Sequence, residues 1–448
     1  MPSTAYHCDL AWLGGDEAVA DVLVEVEDER ISGITVGTDA PAGATRLAGL
    51  TLPGFANAHS HAFHRALRGR TQAGTGSFWT WREQMYSLAA ILEPDSYERL
   101  ARAVFAEMVL AGVSCVGEFH YLHHGAGGRQ YDDPNAMGRA LMNAASDAGL
   151  RMTLLDTCYL HGGIGRPLDE VQRRFGDGDV HRWVDRVDAL RSIQSPTVRI
   201  GAAIHSVRAV DPDGIGVVAA WARDRGVPLH AHVSEQPAEN EQCAAAHGCT
   251  PTALLARWGA LGPLSTAVHA THLAEDDVAL LGASGTSVCL CPTTERDLAD
   301  GIGPARRLAL AGAPLTLGSD SHAVIDLLEE ARLVELHERL ATSTRGSHDA
   351  PSLLRAATDH GHGSLGWPEA GRLEVGALAD LVSVRLDSVR TAGAAAATAM
   401  QHVVFAGAAP DVHHVVIGGR VIVSEGRHRS IDVAAELHTS ISATWASA

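Results

Sequence analysis

Alternation of apolar and polar positions marks both ends of the chain. Residues 21–37, DVLVEVEDERISGITVG, put an apolar side chain at about every second position around acidic turns, the pattern of strands with one buried face. The pattern returns in RLEVGALADLVSVRL (372–386) and HHVVIGGRVIVSEGRH (413–428), with GG and EG at the turns. The two ends are therefore expected to form one small composite β-sandwich domain, residues 1–50 with 368–448. Between them the period changes. Short apolar or β-branched runs alternate with stretches of helical spacing such as SYERLARAVFAEMVLAG (96–112) and DLLEEARLVELHERL (326–340), a strand-then-helix plan that implies a parallel sheet.

The expected strands are TLPGFANAHSH, SCVGEF, RMTLLDT, VRIGAAI, PLHAHVSE, TAVHATHL, TSVCLC and PLTLGSD. Eight of them suit a (β/α)8 barrel over residues 51–367, and His59 to Asp320 spans 262 residues, close to the roughly 250 such barrels use. The alternative is a doubly wound open sheet. Its first strand-helix turn should be a glycine-rich phosphate loop, which PGFANAHSH is not, and GGIGRP at Gly162 has the wrong spacing. GAAAATA, from Gly393, reads as an alanine-rich helix or linker.

Composition narrows the function classes. With 448 residues, 46% hydrophobic and 20% charged, the chain can bury a large core and is not disordered. A formal charge of -18 argues against nucleic acid or an anionic membrane as partner, and any anionic ligand needs a local positive cluster. All 35 basic residues are Arg, so lysine Schiff bases, P-loop lysines and carboxylated-lysine metal bridges are excluded. The seven cysteines form no C-x-x-C and read as reduced, mostly buried thiols. The first residues lack a basic start and an apolar core, and no run reaches the length of a membrane span, so a soluble cytoplasmic protein is expected.

With 25 histidines, position carries the signal. His59 and His61, two apart at the C-terminal end of the first expected barrel strand, point the same way and can grip a metal together. The same spacing in His360 and His362, among glycines and outside any strand, reads as a solvated loop. His232 ends the fifth strand, with His230 two residues before it, and Glu235 follows where an acid could move protons for a metal-activated water. The sixth strand offers His269 and His272, the eighth Asp320 with His322 beyond. Three histidines and one carboxylate suit one divalent metal, Zn2+ first.

PGFANAHSH, HAHVSE, VHATHL and LGSDSH, in this order over some 260 residues, resemble the amidohydrolase superfamily in its mononuclear deaminase branch. The resemblance implies that His59, His61, His232 and Asp320 hold the metal, that Glu235 shuttles protons, that His269 polarises the attacking water, and that His272 packs beside it. HSHAFHRALRG, GEFHYLHH and IHSVRAV are similar, more closely, to the formimidoylglutamate deiminases of histidine degradation. That likeness implies a small anionic substrate, N-formimidoyl-L-glutamate, with carboxylate contacts from Arg82, Tyr121, His205 and Arg208, and a homodimer. Arginine forks suit a dicarboxylate. His64 stands where that family often has Gln, and an imidazole there can still donate a hydrogen bond. Arg65, Arg68 and Arg70 are expected to be structural or solvent-facing. Two rivals remain: an aminoheterocycle deaminase of guanine, S-adenosylhomocysteine or triazine type, expected to have an aromatic or amide-lined pocket, and a non-catalytic relative, expected to have lost ligands or Glu235. The segment TQAGTGSFWTW is a candidate lid.

Overall fold

A computed structural model describes residues 4–72 and 75–446. All eight expected strands form: Phe55–Ser60, Val113–His120, Arg151–Cys158, Val198–Ile204, Leu229–Val233, Ser265–His269, Ser287–Leu290 and Leu315–Leu317. Each pairs in parallel with the next. The sheet closes on itself, because Ser60 bridges Asp320 in parallel and the Asp320 N–H donates to the His59 carbonyl at 3.0 Å. Closure excludes the open doubly wound sheet and makes this a (β/α)8 barrel. The second and third strands are buried at every position, which is why they read as apolar runs without alternation. At the closing seam a Cβ on Gly318 would stand 2.7 Å from the His59 Cβ, so glycine lets the eighth strand approach the first.

The chain ends build a second, mixed eight-stranded sheet. Thr45–Pro53 pairs in parallel with Thr4–Ala11 on one side and antiparallel with Leu381–Val384 on the other, joining N-terminal and C-terminal strands. The last helix, Val433–Ala446, lies on the barrel helix Pro94–Leu110, and Trp445 Nε1 donates to the Ala66 carbonyl at 2.9 Å. No described helix is long and apolar enough to cross a membrane.

One buried ion pair joins the two sheets. Arg151, opening the third barrel strand, donates from Nε to Asp380 Oδ2 at 2.9 Å and from Nη2 to Oδ1 at 3.2 Å, and Gly418 N–H donates to the same Oδ1 at 2.7 Å. Breaking such a pair from one side leaves a desolvated charge. Arg151→Met is therefore expected to lower unfolding free energy by about 3–5 kcal/mol, and Arg151→Met with Asp380→Asn to recover much of it, read by urea unfolding.

The His360–His362 segment corrects the expectation of a solvated loop. It forms a short helix, Asp359–Ser364, in which His362 is fully buried, its Nδ1 2.9 Å from the Thr358 carbonyl and its Nε2 3.3 Å from Ser114 Oγ. The glycines serve close packing, since a Cβ on Gly361 would meet the Ala56 Cβ at 2.8 Å. Arg65 and Arg68 are structural as expected, both pairing with Glu107, and six of the seven cysteines are buried.

Candidate active site and metal centre

Parallel strands place all their C-terminal ends on one rim, and the candidate residues converge there. His59 Nε2 lies 3.1 Å from His232 Nε2 and 3.3 Å from Asp320 Oδ1, and His61 Nε2 lies 3.4 Å from the same oxygen. The orientation of the rings is set from behind. His61 Nδ1 faces the Phe119 carbonyl and His232 Nδ1 the His205 carbonyl, each at 2.9 Å, so both Nδ1 atoms donate and both Nε2 atoms turn a lone pair inward. Several strand ends are in the left-handed region that side chains disfavour: Ser234 at φ 51°, His269 at 68° and Asp320 at 43°. Strain of this kind persists where the surroundings over-determine it.

The donor set fits a divalent cation. Ligand atoms about 2.0–2.1 Å from a tetrahedral centre stand roughly 3.3 Å apart, the spacing seen here. Burial lowers His59 and His232 and takes His61 down to about 3, keeping the imidazoles neutral. Burial pushes Asp320 upward, but His59, His269 and His61 outweigh it and hold the carboxylate well below its usual range. Neutral imidazoles and an ionised carboxylate are the ligand states zinc needs.

Glu235 and His269 stand beside this cluster. His269 Nε2 is 3.7 Å from Glu235 Oε1 and 3.9 Å from Asp320 Oδ2. Burial raises Glu235 above the ordinary glutamate value, although His269 and Arg208 pull it down. Burial disfavours charge on His269, but Glu235, Glu295 and Asp320 together raise it well above the histidine range. His272 Nε2 turns away to the Asp300 carbonyl at 2.8 Å, and His230 Nε2 to the Ser364 carbonyl at 3.0 Å.

A cavity of about 550 Å³ opens over the cluster, lined by His61, His64, Arg82, Tyr121, His205, Arg208, His232, Glu235, His269 and Asp320. Only His59 of the eleven expected site residues is not in the lining, being buried behind His232. Arg208 is not a free cation. Its Nε donates to Glu239 Oε2 at 3.2 Å and its Nη2 lies 4.0 Å from Glu235 Oε2. Arg82, half-buried, donates from Nε to the Tyr86 hydroxyl at 2.7 Å, and among the described residues has no carboxylate within 4.0 Å. His64 Nε2 is 3.0 Å from the Tyr121 hydroxyl, while its Nδ1 is buried without a partner.

Sequence reasoning placed Phe78 and Trp81 only within a candidate lid and missed the rest of the aromatic wall. Phe78, Trp81, Tyr86, Tyr159 and Phe175 give the cavity an aromatic lining, and Gln172 Nε2 ties the hydroxyls of Tyr86 at 2.9 Å and Tyr159 at 3.1 Å together. Tyr86 was discoverable as the residue one helical turn after Arg82; Gln172 and Phe175 lie in a long loop without period and carried no signal. Both the arginines and the aromatic character that the two deaminase readings expected are therefore present. In the candidate lid, Ala73 and Gly74 lie outside the described residues, while Phe78 and Trp81 line the cavity. A further buried group, His120, His123 and Asp156, lies elsewhere, and there Asp156 already accepts from Arg186 at 2.7 and 2.8 Å and from Trp183 at 2.9 Å.

A barrel with this rim belongs to a recognisable class: residues 50–422 match the amidohydrolase family, and the chain is a member of it. Amidohydrolases are metal-dependent hydrolases, and this chain is an enzyme of that hydrolase and deaminase group acting on C–N bonds. Among relatives, it is 38% identical over 398 residues to formimidoylglutamate deiminase of Pseudomonas aeruginosa, covering 86% of this chain and 87% of that one. It is 30% identical to 5-methylthioadenosine/S-adenosylhomocysteine deaminase of Natronomonas pharaonis, covering 93% and 91%. The crystal structure of an amidohydrolase from Brucella melitensis superposes with a TM-score of 0.92 at 32% identity, over 99% of this chain and all of that one.

Proposed function

We propose that this protein hydrolyses N-formimidoyl-L-glutamate to N-formyl-L-glutamate and ammonia, with His59, His61, His232 and Asp320 holding one Zn2+. The observation that carries the reading is the presence of two arginines, Arg82 and Arg208, with Tyr121, His205 and His64, in the cavity that also holds Glu235 and the metal-ligand cluster. A dicarboxylate needs two such anchors on a chain of formal charge -18. When bound, the cation acidifies water towards a pKa of about 7 and polarises the C=N group.

The chain's own groups do the rest. Arg208 and His205 hold one carboxylate and Arg82, Tyr121 and His64 the other, which fixes the formimidoyl carbon beside Glu235. Glu235 accepts a proton from the attacking water as the C–O bond forms and delivers it to the terminal nitrogen, making the C=N bond single. It then carries the proton of the added hydroxyl to the same nitrogen, so that the C–N bond breaks, the formyl C=O forms and ammonia leaves. The raised affinity of Glu235 for a proton suits this return step. His269 Nε2 faces the same point and hydrogen-bonds the oxygen on which charge develops. The aromatic lining favours a second reading, deamination of an aminoheterocycle stacked on Trp81 or Tyr159.

Ammonia release from N-formimidoyl-L-glutamate, N-formimidoylglycine, guanine and S-adenosylhomocysteine by the zinc-loaded protein separates the readings. Turnover confined to the glutamate derivative is expected; turnover of the heterocycles alone would establish the second reading, and silence on all four would reject both. Chelation is expected to abolish turnover and lower the melting temperature, with Zn2+ restoring both. A ligand held at 1,000 times its Kd stabilises the folded state by about 4 kcal/mol, which differential scanning fluorimetry detects.

A further inference from the structure

We infer that Glu295 is the positioning residue for His269, holding a proton on Nδ1 so that Nε2 stays aimed at the reacting centre. His269 is 1% exposed and its Nδ1 is buried without a well-formed hydrogen bond. The acceptor facing that atom is Glu295 Oε1, at 3.5 Å. Glu295 is itself buried, in the first turn of the helix Pro292–Asp297 that follows the seventh barrel strand. Its Oε1 accepts the Cys291 N–H at 2.9 Å, which pins the carboxylate in place. Among the described residues His269 is the one cationic partner within 4.0 Å of Glu295.

The other constraints on His269 leave this one to be met. Its ring stacks on the His232 ring, with centroids 5.6 Å apart and planes 18° apart, which fixes the plane. The left-handed backbone at His269 and Ala270 is tied to the fifth strand by Ala270 N–H to the Val233 carbonyl and His272 N–H to the Ser234 carbonyl, each at 3.0 Å. Neither contact distinguishes one ring nitrogen from the other. Glu295 does, because a carboxylate beside Nδ1 holds a hydrogen on that nitrogen and makes a flipped ring expose a C–H to a buried charge, which leaves Nε2–H to donate on the opposite side. The Nε2 face, between Glu235 and Asp320, is then kept for the substrate side.

The inference rests on the proposed mechanism for the role of Nε2, so the test includes a measurement that needs no substrate. Nitrogen-15 NMR of the zinc-loaded protein, with the His269 signal assigned by its loss in His269→Gln, reports which ring nitrogen carries hydrogen. A hydrogen on Nδ1 is expected in the wild type, and a population lacking it in Glu295→Leu. In turnover, Glu295→Leu is expected to lose kcat by about 10- to 100-fold with KM and metal content unchanged, while Glu295→Gln, which keeps an acceptor, recovers most of it. A bare Nδ1 in the wild type overturns the inference without any variant being required to fold. So does unchanged kcat in Glu295→Leu, or a parallel loss of kcat, KM and metal in both variants, which marks a merely structural role.

Discussion

Glu235→Gln keeps its metal and loses turnover by about 10²- to 10⁴-fold, the range that a positioned acid or base contributes. The substitution changes one oxygen to an amide, leaves the volume of the cavity alone and spares His59, His61, His232 and Asp320. What it removes is the capacity to carry a proton. An amide cannot take one from water and pass it to the departing nitrogen, and the neighbouring groups cannot substitute. Arg208 Nη2, 4.0 Å away, is a permanent cation, and His269, 3.7 Å away, is held between three carboxylates. Steady-state kinetics beside metal analysis checks the prediction, and unchanged turnover removes Glu235 from the mechanism.

Arg208→Met raises KM for the dicarboxylate by about 30-fold or more, corresponding to the roughly 2–5 kcal/mol lost when one partner of a buried charge pair is truncated. The structure adds a second effect that the sequence did not reveal. Glu239 is 1% exposed, with Oε1 accepting the Ser234 N–H at 3.1 Å and Oε2 facing Arg208, so removing Arg208 strands a buried carboxylate. The single variant is therefore also expected to be less stable. Arg208→Met with Glu239→Gln separates the two consequences: stability returns because the stranded charge is gone, while KM stays high because the substrate's anchor is still missing. Thermal unfolding and KM measured on the same preparations test this, and an unaltered KM in the single variant rejects the carboxylate clamp.

The barrel was readable because its physics is local. A parallel strand covered on both faces must be apolar throughout, so runs such as RMTLLDT and VRIGAAI announce themselves without reference to anything distant. The histidine pair at 59 and 61 was readable for the same reason: the period of a strand puts both rings on one side, and the strand's C-terminal end puts them on the catalytic rim. The failure at His362 is instructive beside it. Glycines flanking a histidine look like a loop, and only the approach of another strand, Ala56 against Gly361, turns them into packing surfaces around a buried imidazole.

By itself the sequence determined the order of strands and helices, the meeting of the two ends in one sheet, the exclusion of lysine chemistry, and which residue types would gather at the rim. The tertiary structure alone decided what those residues touch: Glu239 neutralising Arg208, Tyr86 and Gln172 bracing Arg82, Glu295 behind His269. The physical reason is the range of the forces concerned. Hydrophobic periodicity is written over neighbouring residues, whereas a buried charge is satisfied by whichever polar group the fold brings within a few ångströms, and that partner can lie anywhere along the chain.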